Sequence, residues 1–130
     1  MAALNRVMLI GLVGGEPEAR EVNGAKVVTF SVATTEYFKD RNGEGKEQTE
    51  WHKVVAWRHT ADYAERVVHK GAQIYVDGKL HTRKWTDRNG AEKYSTEINA
   101  DDIKVLGRKA ADTNSGTSTN NIGAYDESPF

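Results

Sequence analysis

Two of the three Asn-Gly pairs of this chain, Asn23-Gly24 and Asn89-Gly90, constrain its fold more than any other feature. Each pair lies between segments that are predicted to be extended, and Asn-Gly is the sequence most typical of a tight turn between antiparallel strands. The strands predicted around the two turns are residues 19–22, 25–38, 72–85 and 94–106. The chain is therefore predicted to be mainly β.

The remaining segments complete an order of elements. Residues 5–13 are nearly continuous apolar and predict a buried first strand, and residues 49–58 alternate and predict another. Residues 59–70 predict the one convincing helix, because apolar residues recur at helical spacing and Gly71 follows. With residues 19–38 counted as one unit, the order is three strands, one helix and two strands. That is the order of the OB-fold, a five-stranded Greek-key barrel with its helix between strands 3 and 4. A ubiquitin-like or other small α+β roll is the structural alternative.

The segment between the second and third units is polar. Residues 39–48 combine many charged side chains with two glycines and have no apolar residue. Such a composition is typical of a surface loop. We expect a mobile loop that leads directly into the strand at residues 49–58.

That strand has an unusual face. Side chains alternate along a strand, so Trp51, Lys53, Val55 and Trp57 share one side. Tryptophan is most often buried for its area, and core packing is the simpler interpretation of such a pattern. Two indoles with a cation between them nevertheless suit an unpaired nucleic-acid strand, because indoles stack on bases and a lysine reaches phosphate.

A second segment strengthens the nucleic-acid interpretation. His81-Thr82-Arg83-Lys84-Trp85 again places cations beside an indole, just before the predicted Asn89-Gly90 turn. All three tryptophans of the chain therefore lie close to Lys or Arg on predicted strands. Interleaved aromatic and cationic residues on a sheet favour binding of single-stranded nucleic acid.

The charge of the chain is unevenly distributed. All 18 Lys and Arg lie in residues 1–109, whereas three of the 19 acids, Asp112, Asp126 and Glu127, lie beyond them. The predicted domain, residues 1–109, therefore has a net charge of +2, and the tail, residues 110–130, has −3. The tail is rich in Asn, Ser, Thr and Gly and is predicted to be a disordered linker. Its end, with two acids and a terminal Pro129-Phe130, is a compact ligand for a pocket with an apolar floor and a basic rim.

Other classes of function are disfavoured by composition. The chain has no cysteine, and its four histidines have no metal-ligand spacing, so no cofactor or metal is expected. No acid–base constellation indicates an enzyme. No apolar run is long enough for a membrane span, and no export signal is recognisable at the N-terminus, so a cytoplasmic protein is expected.

Four strings of residues together resemble bacterial single-stranded DNA-binding protein. They are Asn5-Arg6-Val7, Thr49-Glu50-Trp51-His52, Arg83-Lys84-Trp85-Thr86-Asp87 and the terminal Pro129-Phe130. The likeness extends over about residues 4–107, and the tail is of the same kind as the tail of that family. It implies an OB-fold homotetramer that wraps single-stranded DNA without sequence preference in replication, recombination and repair, with no cofactor and no catalysis. It also implies a cytoplasmic, nucleoid-associated protein.

The resemblance also implies roles for individual residues. The base-stacking aromatics fall on Phe38, Trp51, Trp57 and Trp85, and the phosphate-contacting cations fall on Arg6, Lys53, Lys70, Arg83 and Lys84. His52 falls at a subunit interface. His81 stands where the family commonly has arginine, which removes one fixed charge.

In the tail, Asp126, Glu127, Pro129 and Phe130 match the family's partner-binding tip, but Ser128 replaces an aliphatic residue and the acids are fewer. Such tips recruit helicases, nucleases, primase, recombination mediators and polymerase subunits. An RNA-binding barrel of the cold-shock kind remains the alternative function.

Overall fold

The computed structural model describes residues 2–108. Its elements, in chain order, are β1 Val7–Val13, β2 Glu18–Val22, β3 Ala25–Lys39, β4 Gly45–Trp57, α1 Arg58–Val67, β5 Ala72–Thr86 and β6 Glu92–Arg108. The predicted tail, residues 110–130, with its candidate site at Asp126, Glu127, Pro129 and Phe130, lies outside the described residues.

The strands form one sheet in the order β1-β5-β6-β4-β3-β2, and a short pairing of β1 with β3 joins its two halves. Adjacent strands are antiparallel except β4 and β6, which are parallel. The mainly β architecture with a single described helix, between β4 and β5, confirms the predicted fold class. The segment that was counted as one unit is divided at the Asn23-Gly24 turn, so the structure has six strands instead of five.

The core lies inside this curved sheet and combines inward-facing residues of the strands with residues of α1. Its buried members include Val28, Val32, Val54, Ile74, Val76 and Ile98 from the strands and Ala61 and Ala64 from the helix. The helix ends at Val67 and not at Lys70 as predicted. Val68 is fully buried with extended backbone, and its N–H still donates to the Ala64 carbonyl. Packing of Val68 into the core therefore ends the helix early.

Gly11 lies where β1 passes from its partner β5 to its partner β3. A Cβ atom at this position would overlap the Ala33 carbonyl oxygen. Only glycine permits two backbones to approach so closely. Gly11 therefore allows β1 to lie close against β3 at this point.

Two hairpins extend beyond the core as arms. The first arm, residues 34–50, is the outer part of β3 and β4, and the second arm, residues 81–97, is the outer part of β5 and β6. The expected loop at residues 39–48 is shorter in the structure: only residues 40–44 connect the two strands, since Gly45 pairs with Lys39 and Gln48 with Glu36. Charged side chains fit there because both faces of the arm are exposed.

The same four residues, Asp-Arg-Asn-Gly, form the turn at the tip of each arm. In the first, Asp40 Oδ1 accepts hydrogen bonds from the N–H groups of Asn42 and Glu44, at 2.9 and 3.0 Å. In the second, Asp87 Oδ1 accepts from Asn89 and Ala91, both at 2.9 Å. Gly43 and Gly90 both have positive φ, near 80°. Each turn is thus held by its own residues, which explains how the arms stay paired without burying side chains.

Candidate nucleic-acid interface

The central feature of the surface is the outer side of β4. Trp51, Lys53, Val55 and Trp57 share it, while the opposite side, with Val54 and Ala56, is buried in the core. Trp51 is 59% exposed and Trp57 is 40% exposed. The predicted alternation is confirmed, and neither indole is a core residue. We call these four residues, with the neighbouring Arg83 and Glu97, the aromatic face.

Trp51 lies against the end of β1. A Cβ atom at Gly14 would overlap the six-membered ring of the indole, so the absence of a side chain there makes room for it. Beside the ring is an open concavity of about 500 Å³, which Lys53, Ser31 and Glu16 also line. Trp51 therefore presents its ring to a groove large enough for a nucleobase.

A second concavity, of about 300 Å³, lies at the other end of β4. Its apolar floor is formed by Val27 and Val55, and Trp57 forms one wall. The rest of its lining consists of Val22 and of polar and charged side chains: Arg20, His81, Arg83, Glu97 and Asn99. An apolar floor with polar groups on its rim is suited to a flat heteroaromatic ring.

Between the two indoles lies an ion triad formed by Lys53, Arg83 and Glu97. Glu97 Oε2 accepts a hydrogen bond from Arg83 Nε at 2.9 Å and lies 3.3 Å from Lys53 Nζ. Burial favours the neutral acid, but the hydrogen bonds from Arg83 and Lys53 outweigh it, so the pKa of Glu97 lies below its ordinary value. The triad has a net positive charge, and both cations remain partly exposed.

Trp85 lies on the second arm and is 42% exposed. Side-chain alternation along β5 places it on the same side as Arg83 and His81. Lys84 points to the opposite side, where its Nζ lies 2.8 Å from Glu92 Oε2. Trp85 therefore lies on the same side of the sheet as Arg83 of the aromatic face, whereas Lys84 lies on the other side of the arm.

Phe38 is on the first arm, 48% exposed, but it does not share a side with Trp51. Directly paired residues share a side, and the pairs Ala33–Trp51 and Tyr37–Glu47 belong to one side whereas Phe38–Lys46 belongs to the other. Tyr37, 76% exposed, is thus the arm residue on the side of Trp51. Sequence reasoning missed Tyr37, because only the pairing of β3 with β4 shows which of the two adjacent aromatics lies on the side of Trp51.

Two predicted phosphate-contacting cations lie away from the triad. Arg6 makes a bidentate pair with Asp77, with Nε–Oδ1 at 3.2 Å and Nη2–Oδ2 at 2.7 Å. Arg6 and the Tyr75 hydroxyl hold the pKa of Asp77 below its ordinary range. Lys70 is exposed, and its backbone N–H donates to Glu16, which lines the concavity beside Trp51. Lys70 therefore borders the groove, whereas the guanidinium of Arg6 is already paired.

Residues 4–106 match the single-strand binding protein family. The chain belongs to that family. It is 49% identical to single-stranded DNA-binding protein 1 of Chlorobaculum tepidum over 117 residues, which are 88% of this chain and 71% of the relative. It is 45% identical over 111 residues to single-stranded DNA-binding protein 1 of Xylella fastidiosa, which are 84% of this chain and 82% of the relative.

A solved structure supports the fold of this member of the single-strand binding protein family. The structure is described as a Plasmodium falciparum SSB complex with ssDNA, and it matches with a TM-score of 0.75 at 42% identity. The match covers 82% of this chain and 97% of that one. The sequence-based family resemblance and the OB-fold are therefore both confirmed.

A different surface of this family member is formed by the outer side of β1. Met8, Ile10 and Leu12 alternate with inward-facing residues and are 59%, 39% and 41% exposed. We call these three residues the β1 face. Only Leu12 and Val13 of β1 pair with β3, so the rest of the strand has β5 as its single recorded strand partner. Exposed aliphatic side chains beside a strand edge are typical of a protein–protein contact.

His52, the predicted interface residue, is partly buried on the inward-facing side of β4. Its Nε2 lies 2.9 Å from Thr34 Oγ1 on β3. This contact fixes the ring across the base of the first arm. Among residues 2–108, no group of three His, Asp or Glu side chains is arranged to hold a metal ion. In the same residues, no helix is long and apolar enough to cross a membrane.

Proposed function

We propose that this protein binds and wraps single-stranded DNA without sequence preference, in replication, recombination and repair, and that it does so without catalysis or a cofactor. The observation that carries the proposal is the aromatic face, where Trp51 and Trp57 are exposed on one strand with two cations between them. The relatives and the solved neighbour are named as single-stranded DNA-binding proteins or as an ssDNA complex, which supports it.

Stacking on aromatic rings supplies the affinity that does not depend on salt. We infer that bases stack on Trp51, Trp57 and Trp85, each contributing about 1–3 kcal/mol. Tyr37 extends this row along the first arm on the side of Trp51. Phe38, the residue that the family resemblance implied, would have to act from the opposite side of that arm.

Cations supply the part of the affinity that depends on salt. Lys53 and Arg83 are partly exposed between the indoles, within reach of a backbone whose bases stack on them. Lys70 borders the groove, whereas Lys84 and Arg6 are paired with Glu92 and Asp77. Each phosphate that is neutralised on a single strand contributes a slope of about −0.7 to log K against log salt.

Preference for single strands follows from the same geometry. Every base has a π-face, so stacking does not select a sequence. Duplex DNA hides those faces between neighbouring base pairs. The chain is therefore expected to act on unpaired DNA in the cytoplasm, at the nucleoid.

We further propose a homotetramer. The β1 face offers aliphatic side chains and a largely open strand edge, which suits contact with a second copy. His52, fixed by Thr34, is proposed to contribute to a subunit interface. Several barrels in one assembly let a long strand bind at many sites together, which raises its affinity through multivalency.

The tip of the tail, with Asp126, Glu127, Pro129 and Phe130, is proposed to recruit helicases, nucleases, primase, recombination mediators and polymerase subunits. Its terminal aromatic, carboxylate and neighbouring acids are the chemical basis for this. A fluorescent peptide of residues 122–130, with a Phe130-deleted control, would test direct binding to such partners. Equal binding of both peptides would contradict the role of the tip.

Tryptophan fluorescence during titration with poly(dT), on protein whose mass is known from light scattering, tests the function. Strong quenching that is weakened by Trp51→Ala would place the indole against bases. Absence of quenching by a folded protein would overturn the proposal. Competition with poly(rU) distinguishes the RNA-binding alternative, since an RNA-binding barrel would release the DNA at low RNA concentration.

A further inference from the structure

Glu97 is a buried carboxylate in the middle of the aromatic face. It is 4% exposed, and among the residues whose burial the structure describes it is the only charged residue that is buried. Its Oε2 accepts hydrogen bonds from Arg83 Nε and, at 3.3 Å, from the Ser95 hydroxyl. The same oxygen forms an ion pair with Lys53 Nζ, also at 3.3 Å. A buried carboxylate is costly unless it is paired, so these contacts are needed to keep it ionised at this position.

The two cations are held in a manner that leaves them available to a ligand. Arg83 contacts Glu97 through Nε, and a guanidinium has four further N–H groups on its terminal nitrogens. Lys53 directs its ammonium to the same oxygen at 3.3 Å, and an ammonium has three donors. Both side chains are 44% exposed. Glu97 therefore fixes the positions of two phosphate-binding groups without enclosing them.

A second ion pair on the same arm shows what is special about Glu97. Lys84 and Glu92 lie 2.8 Å apart, but both are more than half exposed. Such a pair is weak and can separate when a phosphate competes for the lysine. Glu97 cannot withdraw into solvent in that way, so its charge remains beside Lys53 and Arg83 when a strand is bound.

We propose that Glu97 is a positioning residue of the DNA-binding face that also cancels one of the two charges of Lys53 and Arg83. The pair then neutralises one phosphate instead of two. Trp51 and Trp57 are then accompanied by a cationic site that is fixed in position and has one net positive charge. The inference rests on the proposed binding of single-stranded DNA, and it concerns how that site sets the salt dependence of binding.

The variant Glu97→Gln keeps the size of the side chain and one acceptor oxygen for Arg83 and Lys53, but it removes the negative charge. We expect log K for poly(dT) against log salt to become steeper by about 0.7, one more phosphate. Binding should be tighter at low salt, with the advantage lost as salt rises. Asp62→Asn on α1 is the control, because it changes the net charge equally at an exposed ion pair with Lys26, and its slope should be unchanged.

An unchanged or shallower slope for Glu97→Gln, with circular dichroism and mass as in the unmodified protein, would overturn the inference and leave Glu97 a structural residue. Should that variant fail to fold, Lys53→Gln and Arg83→Gln replace it. Each single change should reduce the slope by about 0.7, and the double change should reduce it no further. Additive losses would overturn the inference.

The two proposals fail differently in this experiment. If the unmodified protein does not bind poly(dT), the proposed function is wrong. If the unmodified protein binds poly(dT) but the losses of slope in Lys53→Gln and Arg83→Gln add in the double variant, only the proposed role of Glu97 is wrong.

Discussion

Two surfaces of this small barrel leave large apolar side chains in solvent to a similar extent. On the aromatic face Trp57 is 40% exposed, and on the β1 face Leu12 is 41% exposed. Their chemistry differs, because the aromatic face interleaves flat rings with Lys53 and Arg83, whereas the three exposed residues of the β1 face are all uncharged. Exposed apolar area alone thus indicates that a surface binds something. The rings and charges interleaved with it indicate whether that partner is nucleic acid or another protein surface.

The largest effect is expected from a charge placed on the β1 face. Ile10→Asp should abolish the proposed subunit contact, because that contact would bury an unpaired carboxylate among aliphatic side chains. Light scattering should report a smaller assembly, and affinity for long poly(dT) should fall by about 10²–10⁴-fold through lost multivalency. Affinity for a dT oligomer of about 8 nucleotides, a length within the range for one OB-fold, should change little.

His59→Asp is the matched control for that change. It places the same charge on an exposed residue of α1, away from β1. Its mass and its affinity for long poly(dT) should equal those of the unmodified protein. If both variants lose affinity equally, the β1 face has no special role in assembly.

The next effect should come from the aromatic face. Trp51→Ala removes one stacking surface, and about 1–3 kcal/mol corresponds to a loss of roughly 5–150-fold in affinity. The mass of the assembly, measured by light scattering, should not change, since the indole lies on the side of β4 away from the core. Fluorescence anisotropy with labelled dT oligomers measures the loss. A smaller assembly would mean that the two faces are not independent.

A smaller effect should separate two adjacent residues of the first arm. Tyr37→Ala should weaken poly(dT) binding several-fold, because Tyr37 is on the side of Trp51, whereas Phe38→Ala should weaken it less. The two variants are matched controls for each other, being neighbours with exposed rings. A larger loss for Phe38→Ala would show that the arm twists or bends when DNA binds.

The smallest effect concerns pH. Because the folded-state pKa of Glu97 lies below its ordinary value of 4.5, its ionised form stabilises the fold fully above that value. This contribution is lost as pH falls through the lower folded-state pKa. Urea unfolding should therefore show that the stability difference between the unmodified protein and Glu97→Gln shrinks below pH 4.5. A difference that is independent of pH would show that the carboxylate charge is not stabilising.

Much of the fold could be predicted because its turns are local. Asn23-Gly24 and Gly90 adopt the positive φ values that their residue types permit, and each turn joins two strands that pair antiparallel. The first arm was not predicted at residues 39–48, although Asn42-Gly43 is a further Asn-Gly pair, because a hairpin exposed on both sides has no apolar alternation. Its strand pairing depends on Asp40, whose carboxylate binds two backbone N–H groups of the turn.

The candidate site was predictable in part for a related reason. Trp51, Lys53 and Trp57 lie on one strand, so counting residues was enough to place them together. Choosing between Tyr37 and Phe38 requires the pairing of β3 with β4, which depends on the length of the turn between them. The role of Glu97 depends on three strands, β4, β5 and β6, and no pattern within one segment indicates it.

The identical turns of the two arms have a consequence for how such a protein can be re-engineered. Because each tip is closed by its own Asp and Gly, the arms can be lengthened without redesigning the turn. Adding one residue to each strand would reverse which side every residue beyond the insertion faces, whereas adding two restores it. The reach of either arm is therefore adjustable in steps of about 7 Å, two residues at about 3.4 Å each. An inserted aromatic residue that faces the side of Trp51 would lengthen the row of rings without altering the barrel.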